Sequence, residues 1–478
     1  MTSPIKIVRA APKILNSMMM SVFMFNFNFR IIAGKFYFYN CFSRISYLLR
    51  KQTMSLSVAV NLIPDEDKTK INEVLQIKME DKYSFGPPRY FIPYHITEFE
   101  EIKIPFAFAV RTLKYKRPER TIFPLTKLKF GGELRPEQKE VKTDAIAILN
   151  KTGSVILSMY CGFGKTITSI NLACSIGFKT LIVVNKIVLM KQWEESIKLF
   201  CPTASVQKIK PGCVKWDCDF YIINAINTEK MGEEFFSDIG TVIVDEAHLI
   251  MAETISKSLH SLHPRYLIGL TATPYRPDGL DALLSFYFGD DKIIRDLHRE
   301  HLVYKVLTGF KPTIELGANG RVNWGVVLDS QSKDVERNEL IIRIIIKFKQ
   351  RNFLVLVKRV EQGELLVRRL QEVGEDVTSL IGSNQTFEVS SRILIGTCSK
   401  VGTGFDHPKL DTLLMAADVE EYFIQYLGRC MRTRESTPIV FDLVDDYSIL
   451  TKHYNTRKKI YEKHGGTIKE IKKETLTS

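Results

Sequence analysis

The chain is poor in cysteine. Its 478 residues hold eight, scattered, and the closest pair, Cys213 and Cys218, has no second pair at metal-ligand spacing to match it. That excludes a disulfide framework, argues against a zinc site, and points to reduced thiols in an intracellular compartment. Long unbroken apolar runs are lacking too. The most apolar stretch, "SMMMSVFMFNFNFRIIAGKFYFY", is interrupted by Asn26, Asn28 and Arg30, which argues against a membrane-spanning helix and a membrane partner. There is no internal repeat and no low-complexity tract.

Acid is absent from residues 1–53, which carry Lys6, Arg9, Lys13, Arg30, Lys35, Arg44, Arg50 and Lys51. They supply +8 of the net +13, leaving +5 for the rest of the chain. A basic surface favours an anionic partner, most commonly nucleic acid, but the excess sits mainly in this segment. Residues 1–53 read as a basic, poorly structured extension, with Met54 as a working start. A mitochondrial-type targeting peptide is the alternative.

What is present is an ordinary globular composition, 45% hydrophobic and 25% charged, with length for about two to four domains. Residues 54–120 form a small accessory domain. In "DEDKTKINEVLQIKMEDKY", helical spacing puts Ile71, Val74, Leu75 and Met79 on one side. From 121 the texture changes. "GSVILSMY", "KTLIVVN", "DFYIINA", "TVIVDEAH" and "RYLIGLTAT" are short apolar runs separated by amphipathic stretches such as "KTITSINLACSIG" and "IVLMKQWEESIKLF". Strands alternating with helices predict a parallel sheet covered on both faces. The pattern fades near 285–335, then resumes through "FLVLVK", "SRILIGT", "DTLLMAA" and "TPIVFDLVD". The expected fold class is α/β, with tandem domains at 121–290 and 291–478. The lysine-rich tail "TRKKIYEKHGGTIKEIKKE" reads as helical.

Chemistry concentrates at "MYCGFGKT". The run Gly162, Phe163, Gly164, Lys165, Thr166 follows a strand and opens a helix, the setting of a phosphate-binding loop. A glycine is missing at its first expected position, where Met159 stands. Gly162 and Gly164 would let main-chain N–H groups curl around phosphate, and Lys165 would reach the outer phosphates. Thr166 would ligate Mg²⁺. An incidental Gly-Lys-Thr turn is the bland alternative. "TVIVDEAH" weighs against it, because its carboxylates sit where an apolar strand ends, the edge at which open α/β sheets bind ligands. Asp245 would hold Mg²⁺ and Glu246 would orient and deprotonate the attacking water. Trp193 reads as helix packing, and His407 and His453 as structural.

Together these motifs resemble those of superfamily 2 helicases, here with a DEAH-lettered box. "LRPEQ" resembles the family's opening motif, which would put Arg135 and Gln138 near the base of ATP. "GLTATP" resembles the motif linking nucleotide to nucleic acid, with Thr271 and Thr273 as coupling residues alongside His248. "GTCSKVGTGFDHP" resembles the fifth motif, placing Gly404 and Asp406 at the nucleotide. "QYLGRCMR" resembles the sixth, with Gln425, Arg429 and Arg432 as catalytic groups and both arginines as candidate fingers. The resemblance spans roughly 121–450 in six ordered motifs. It implies two tandem RecA-like domains, ATP and Mg²⁺ as cofactors, and a nucleic-acid-dependent ATPase with no other small-molecule substrate.

A finer resemblance is to the branch holding XPB-like helicases, the phage UvsW helicase and the transcript-release helicases of large DNA viruses. It rests on "GLTATPYRPDGLD" and the tail after "VFDLVDD". There Arg276 and Asp278 would serve strand separation. XPB-like proteins have a longer N-terminal region than precedes these motifs here. The resemblance implies DNA or an RNA:DNA hybrid as track, RNA polymerase or transcription factors as partners, and a viral factory, virion, host cytoplasm or nucleus as location. The rival readings are a nucleotide-dependent clamp with little turnover and the motor subunit of a restriction or repair nuclease.

Overall fold

The apolar runs between 154 and 271 become strands buried on both faces. The computed structural model describes residues 55–78, 90–98, 100–250, 260, 262–272, 281–317, 320–402, 407–419, 423–431 and 436–477. The reading of residues 1–53 therefore lies outside the described residues.

The described residues open with a small antiparallel sheet, β1 (Ser55–Ala59), β5 (Glu101–Pro105) and β4 (His95–Ile96), in that order. A short ribbon pairs β2 (Ile77–Lys78) with β3 (Tyr90–Phe91). The Asp65–Val74 helix and its C-cap residue Leu75 pack Ile71 and Leu75 into a core with Ile102, Ile104 and Phe108. Val74 does not join them: it is 46% exposed. The helix runs through Val74 and Leu75 is its C-cap residue, so of the described residues grouped on one side only Ile71 and Leu75 reach the core. Met79 lies outside the described residues.

The first seven-stranded sheet holds β6 (Ser154–Met159), β7 (Thr180–Val184), β8 (Val206–Ile209), β9 (Phe220–Asn224), β10 (Thr241–Val244), β11 (Tyr266–Thr271) and β12 (Lys292–Arg295). Their order is β12-β6-β11-β10-β7-β9-β8, all parallel. Alternation explains the unbroken hydrophobicity of the runs. Val155, Leu157 and Met159 of β6 face one core layer, while Ile156 faces the other. β12 lies past 290 yet pairs with β6, so the chain leaves the first sheet between Arg295 and His301.

The second sheet is also seven-stranded and parallel: β13 (His301–Leu307), β14 (Phe353–Val357), β15 (Val377–Leu380), β16 (Ile393–Thr397), β17 (Thr412–Met415), β18 (Ile439–Val444) and β19 (Gly466–Lys472). The order is β15-β16-β14-β17-β18-β13-β19. The two sheets are tandem RecA-like layers within one unit spanning 52–478. The tail departs from the helical reading. The Ser448–Lys463 helix ends, Gly465 takes a left-handed φ of 90°, and the chain runs on as edge strand β19. Among the described residues no helix is long and apolar enough to cross a membrane.

Candidate active site

The order β6-β11-β10 places the ends of three strands side by side, and their loops carry the candidate residues. After β6, the chain turns through Gly162 (φ 94°) and Gly164 (φ 97°) into the Lys165–Ile176 helix. Glycine is required at 164: a Cβ there would lie 2.4 Å from Gln138 Nε2. Gln138 Nε2 and the Arg135 guanidinium both donate to the Phe163 carbonyl, the former at 2.9 Å. Gln138 Oε1 in turn accepts the Arg135 backbone N–H at 2.9 Å. Arg135 and Gln138 thus brace the loop from the start of the Pro136–Thr152 helix. Met159, in the place of the missing glycine, is the buried last residue of β6. Its carbonyl accepts Lys165 Nζ at 2.9 Å, which holds the ammonium across the mouth of the loop. Thr166, half-buried, is the next residue of the helix.

Asp245 and Glu246 follow β10 and are each 8% exposed. Trp193 Nε1 donates to Asp245 Oδ2 at 2.8 Å, and the Glu246 backbone N–H donates to Asp245 Oδ1 at 3.0 Å. Glu246 has a φ of 50°, a left-handed conformation uncommon outside glycine and the kind of strain that collects at functional sites. Its Oε2 is buried with no hydrogen-bond partner among the described residues, and lies 3.6 Å from His248 Nδ1. His248 Nδ1 is 2.8 Å from Thr271 Oγ1 at the end of β11. The acidic pair is thereby connected to the neighbouring strand end through buried side chains. Thr273, Arg276 and Asp278 lie outside the described residues.

Burial and the adjacent Glu246 carboxylate push the Asp245 carboxyl up to about 6, with Lys165 and the Trp193 hydrogen bond opposing the rise. Two crowded buried carboxylates beside a lysine and a phosphate loop suit a divalent cation, since an added positive charge relieves their repulsion. Among the described residues no group of three His, Cys, Asp or Glu side chains gathers to hold a metal alone. A magnesium ion here would draw on phosphate oxygens and water beside Asp245 and Thr166, as magnesium sites commonly do. The shift has a testable sign. Asp245's folded-state value lies above its ordinary 3.8, so ionising it costs the folded chain. That cost is absent below both values and complete above the higher one. In EDTA without nucleotide, Asp245→Asn should raise the melting temperature most at pH 8, with the gain shrinking as pH is lowered toward 4. Equal gains across that range would show that the carboxyl ionises normally.

The second sheet contributes the Phe423–Cys430 helix. Gln425 and Arg429 are buried at 3% and 7% exposure. Gln425 Nε2 has no hydrogen-bond partner among the described residues. Arg429 donates to the Gly402 carbonyl at 3.2 Å. Gly428 faces the phosphate loop: a Cβ added there would lie 3.0 Å from Cys161 Cβ. Tyr160, at the loop's start, packs on the cores of both sheets. Lys186, just past β7, reaches across to the Ser399 carbonyl at 3.3 Å, and its ammonium is drawn down by burial and supported by Glu246. Arg432, Gly404 and Asp406 lie outside the described residues. His407 stacks on Phe387, and His453 pairs with Asp418 at 2.6 Å.

Sequence reasoning did not find the loop contacts of Tyr160 and Cys161, the crossing of Lys186, or the hydrogen bond of Trp193. Lys186 alone carried a signal, being a cation at the C-terminal end of a parallel strand.

Residues 131–276 match the family model described as "Type III restriction enzyme, res subunit". Protein 161L of Invertebrate iridescent virus 6 is 44% identical over 446 residues, covering 88% of this chain and 100% of the relative. Protein 055L of Frog virus 3 is 32% identical over 378 residues, covering 77% and 86%. Both carry helicase names. Among solved structures, S. cerevisiae Dbp5 bound to RNA and ADP BeF3 superposes with a TM-score of 0.52 at 12% identity, covering 77% of this chain and 94% of that one, a likeness of fold. On the identity and coverage of the iridovirus relatives, this chain belongs to the superfamily 2 helicases of large DNA viruses, ATP-hydrolysing enzymes that depend on nucleic acid.

Proposed function

We propose that the chain is a motor that closes the cleft between its two sheets on ATP and reopens it on hydrolysis, stepping along one strand of DNA or of an RNA:DNA hybrid. The observation that carries this is the seat of the Phe423–Cys430 helix against the phosphate loop, at Gly428 and Cys161. It puts the arginine-bearing helix of the second sheet beside the loop of the first. In this reading the loop's main-chain N–H groups and Lys165 bind the phosphates. Thr166 and Asp245 hold magnesium, which when bound neutralises charge on the phosphates. Glu246 takes the proton of the attacking water, oriented through its contact with His248. Gln425, Arg429 and Arg432 approach the outer phosphate from the second sheet, with Gly404 and Asp406. Arg135 and Gln138 keep the loop's shape beside the base, and Thr271, Thr273 and His248 carry closure to the nucleic acid. Arg276 and Asp278 serve strand separation. The resemblance of "GLTATPYRPDGLD" and of the C-terminal tail to the transcript-release branch extends this reading to viral transcription, at transcript release with RNA polymerase, or to DNA repair. Dbp5 bound to RNA keeps RNA within the tested set of tracks.

The test is steady-state ATP hydrolysis with no nucleic acid, single-stranded DNA and single-stranded RNA. Strand displacement on 3′- and 5′-tailed duplexes and RNA:DNA hybrids completes it. Stimulation by a single strand of arbitrary sequence and displacement on one tail polarity are expected. Binding should weaken steeply with salt, because the contacts are to backbone phosphates. Tight nucleotide-dependent binding with a flat ATPase rate would replace the motor with a clamp.

A further inference from the structure

Trp193 is 1% exposed in the Ile187–Phe200 helix, within the core layer that contains Val184, Ile222 and Ile243. A buried indole N–H needs an acceptor. Here the acceptor is a carboxylate at the candidate metal site, Asp245 Oδ2 at 2.8 Å, while Asp245 Oδ1 takes the Glu246 main-chain N–H at 3.0 Å. One donor on each oxygen fixes the rotation of the carboxyl plane. One is a rigid ring anchored by packing, the other the main chain. A Phe or Leu would fill much the same apolar volume. Packing alone gives no reason for an N–H aimed at a buried charge, and hydrogen bonds to an ionised acceptor are among the strongest available.

We propose that Trp193 is a positioning residue whose indole N–H aims the Asp245 carboxylate at the divalent cation bound with the nucleotide. The inference rests on the proposed reading of Asp245 as the metal-side carboxylate. Trp193 acts from the helix that follows β7, so the direction of the metal-holding group is set by the neighbouring β-α unit as well as by β10 itself. Removing a hydrogen-bond partner behind a metal ligand typically costs about 10–100-fold in metal affinity or activity.

The chain has three tryptophans, so a full-length protein carrying Trp216→Phe and Trp324→Phe leaves Trp193 as the sole indole. Mn²⁺ is titrated in the presence of ADP. Free metal is read by electron paramagnetic resonance, and Trp193 by its emission. The emission should change in step with bound Mn²⁺ and saturate at the same midpoint. In the otherwise native chain, Trp193→Phe should weaken Mn²⁺ binding roughly tenfold, with ADP affinity in EDTA unchanged. The emission arm keeps Trp193 in place, so it stands even if the Phe variant folds poorly. Flat Trp193 emission while Mn²⁺ binds, or native Mn²⁺ affinity in Trp193→Phe, overturns the inference. Asp245→Asn separates the two levels. If it leaves Mn²⁺ affinity unchanged, Asp245 is not at the metal and the underlying reading falls as well. If it weakens Mn²⁺ while Trp193→Phe does not, only the role of Trp193 falls.

Discussion

Glu246→Gln should bind ATP and nucleic acid normally and hydrolyse ATP about a hundredfold to ten-thousandfold more slowly, the range a positioned general base contributes. The substitution keeps shape and removes the proton acceptor. The structure favours a chemical role for this carboxylate over a structural one. Its Oε2 is buried without a hydrogen-bond donor among the described residues, an arrangement that costs folding free energy. Its backbone is held at a φ of 50°, a second cost that packing does not explain. A neutral amide beside Asp245 would also remove the repulsion that, after burial, raises the Asp245 carboxyl. The variant should therefore melt no lower than the native chain in EDTA, and lost turnover cannot be assigned to unfolding. Native turnover in Glu246→Gln would move the base elsewhere.

Much of this site was legible in the sequence because parallel strands buried on both faces read as unbroken apolar runs, and ligands gather where such strands end. β6, β10 and β11 each end in a lettered motif. β14, β16, β17 and β18 were legible for the same reason. The failures have physical causes. β12 has four residues, and β13 mixes buried and half-buried side chains with its alternation broken at Tyr304 and Lys305, beside a glycine-rich stretch. β19 is an edge strand whose more sheltered residues, besides its first, are Ile468 and Ile471. They stand three apart, which mimics helical spacing, and only the left-handed Gly465 before them signals the turn into the sheet. Val74 shows the converse, a helical spacing that holds for Ile71 and Leu75 but leaves Val74 on the exposed side of the same helix. The contacts that complete the site are tertiary. Nothing local joins Trp193 to Asp245, or Cys161 to Gly428, until the strand order is known.

The contact between Cys161 and Gly428 sets the largest test of the two-domain engine. Arg429, next to Gly428, is buried and donates to the Gly402 carbonyl, so its own domain holds it in place. If it completes the site, its charge matters chiefly in the transition state and should act on rate more than on affinity. An arginine finger is worth about 10³–10⁵ in kcat. Arg429→Ala should thus lower kcat by at least roughly a hundredfold, with ATP affinity changed far less. Arg429→Lys should recover part of the rate, since it restores charge without the guanidinium fork. Gly428→Val attacks the same coupling without touching charge, because even one added carbon at 428 meets Cys161 at 3.0 Å. It should cut nucleic-acid-stimulated hydrolysis and strand displacement together. Nucleotide-free binding to single strands should persist in all three variants, because it does not require closure, and unchanged melting temperatures would confirm that the second sheet is intact. If Arg429→Ala and the matching Arg432→Ala both hydrolyse ATP at the native rate with nucleic acid present, the second sheet does not complete the site. Hydrolysis would then belong to the first sheet alone, and cleft closure would have no chemical step to drive it.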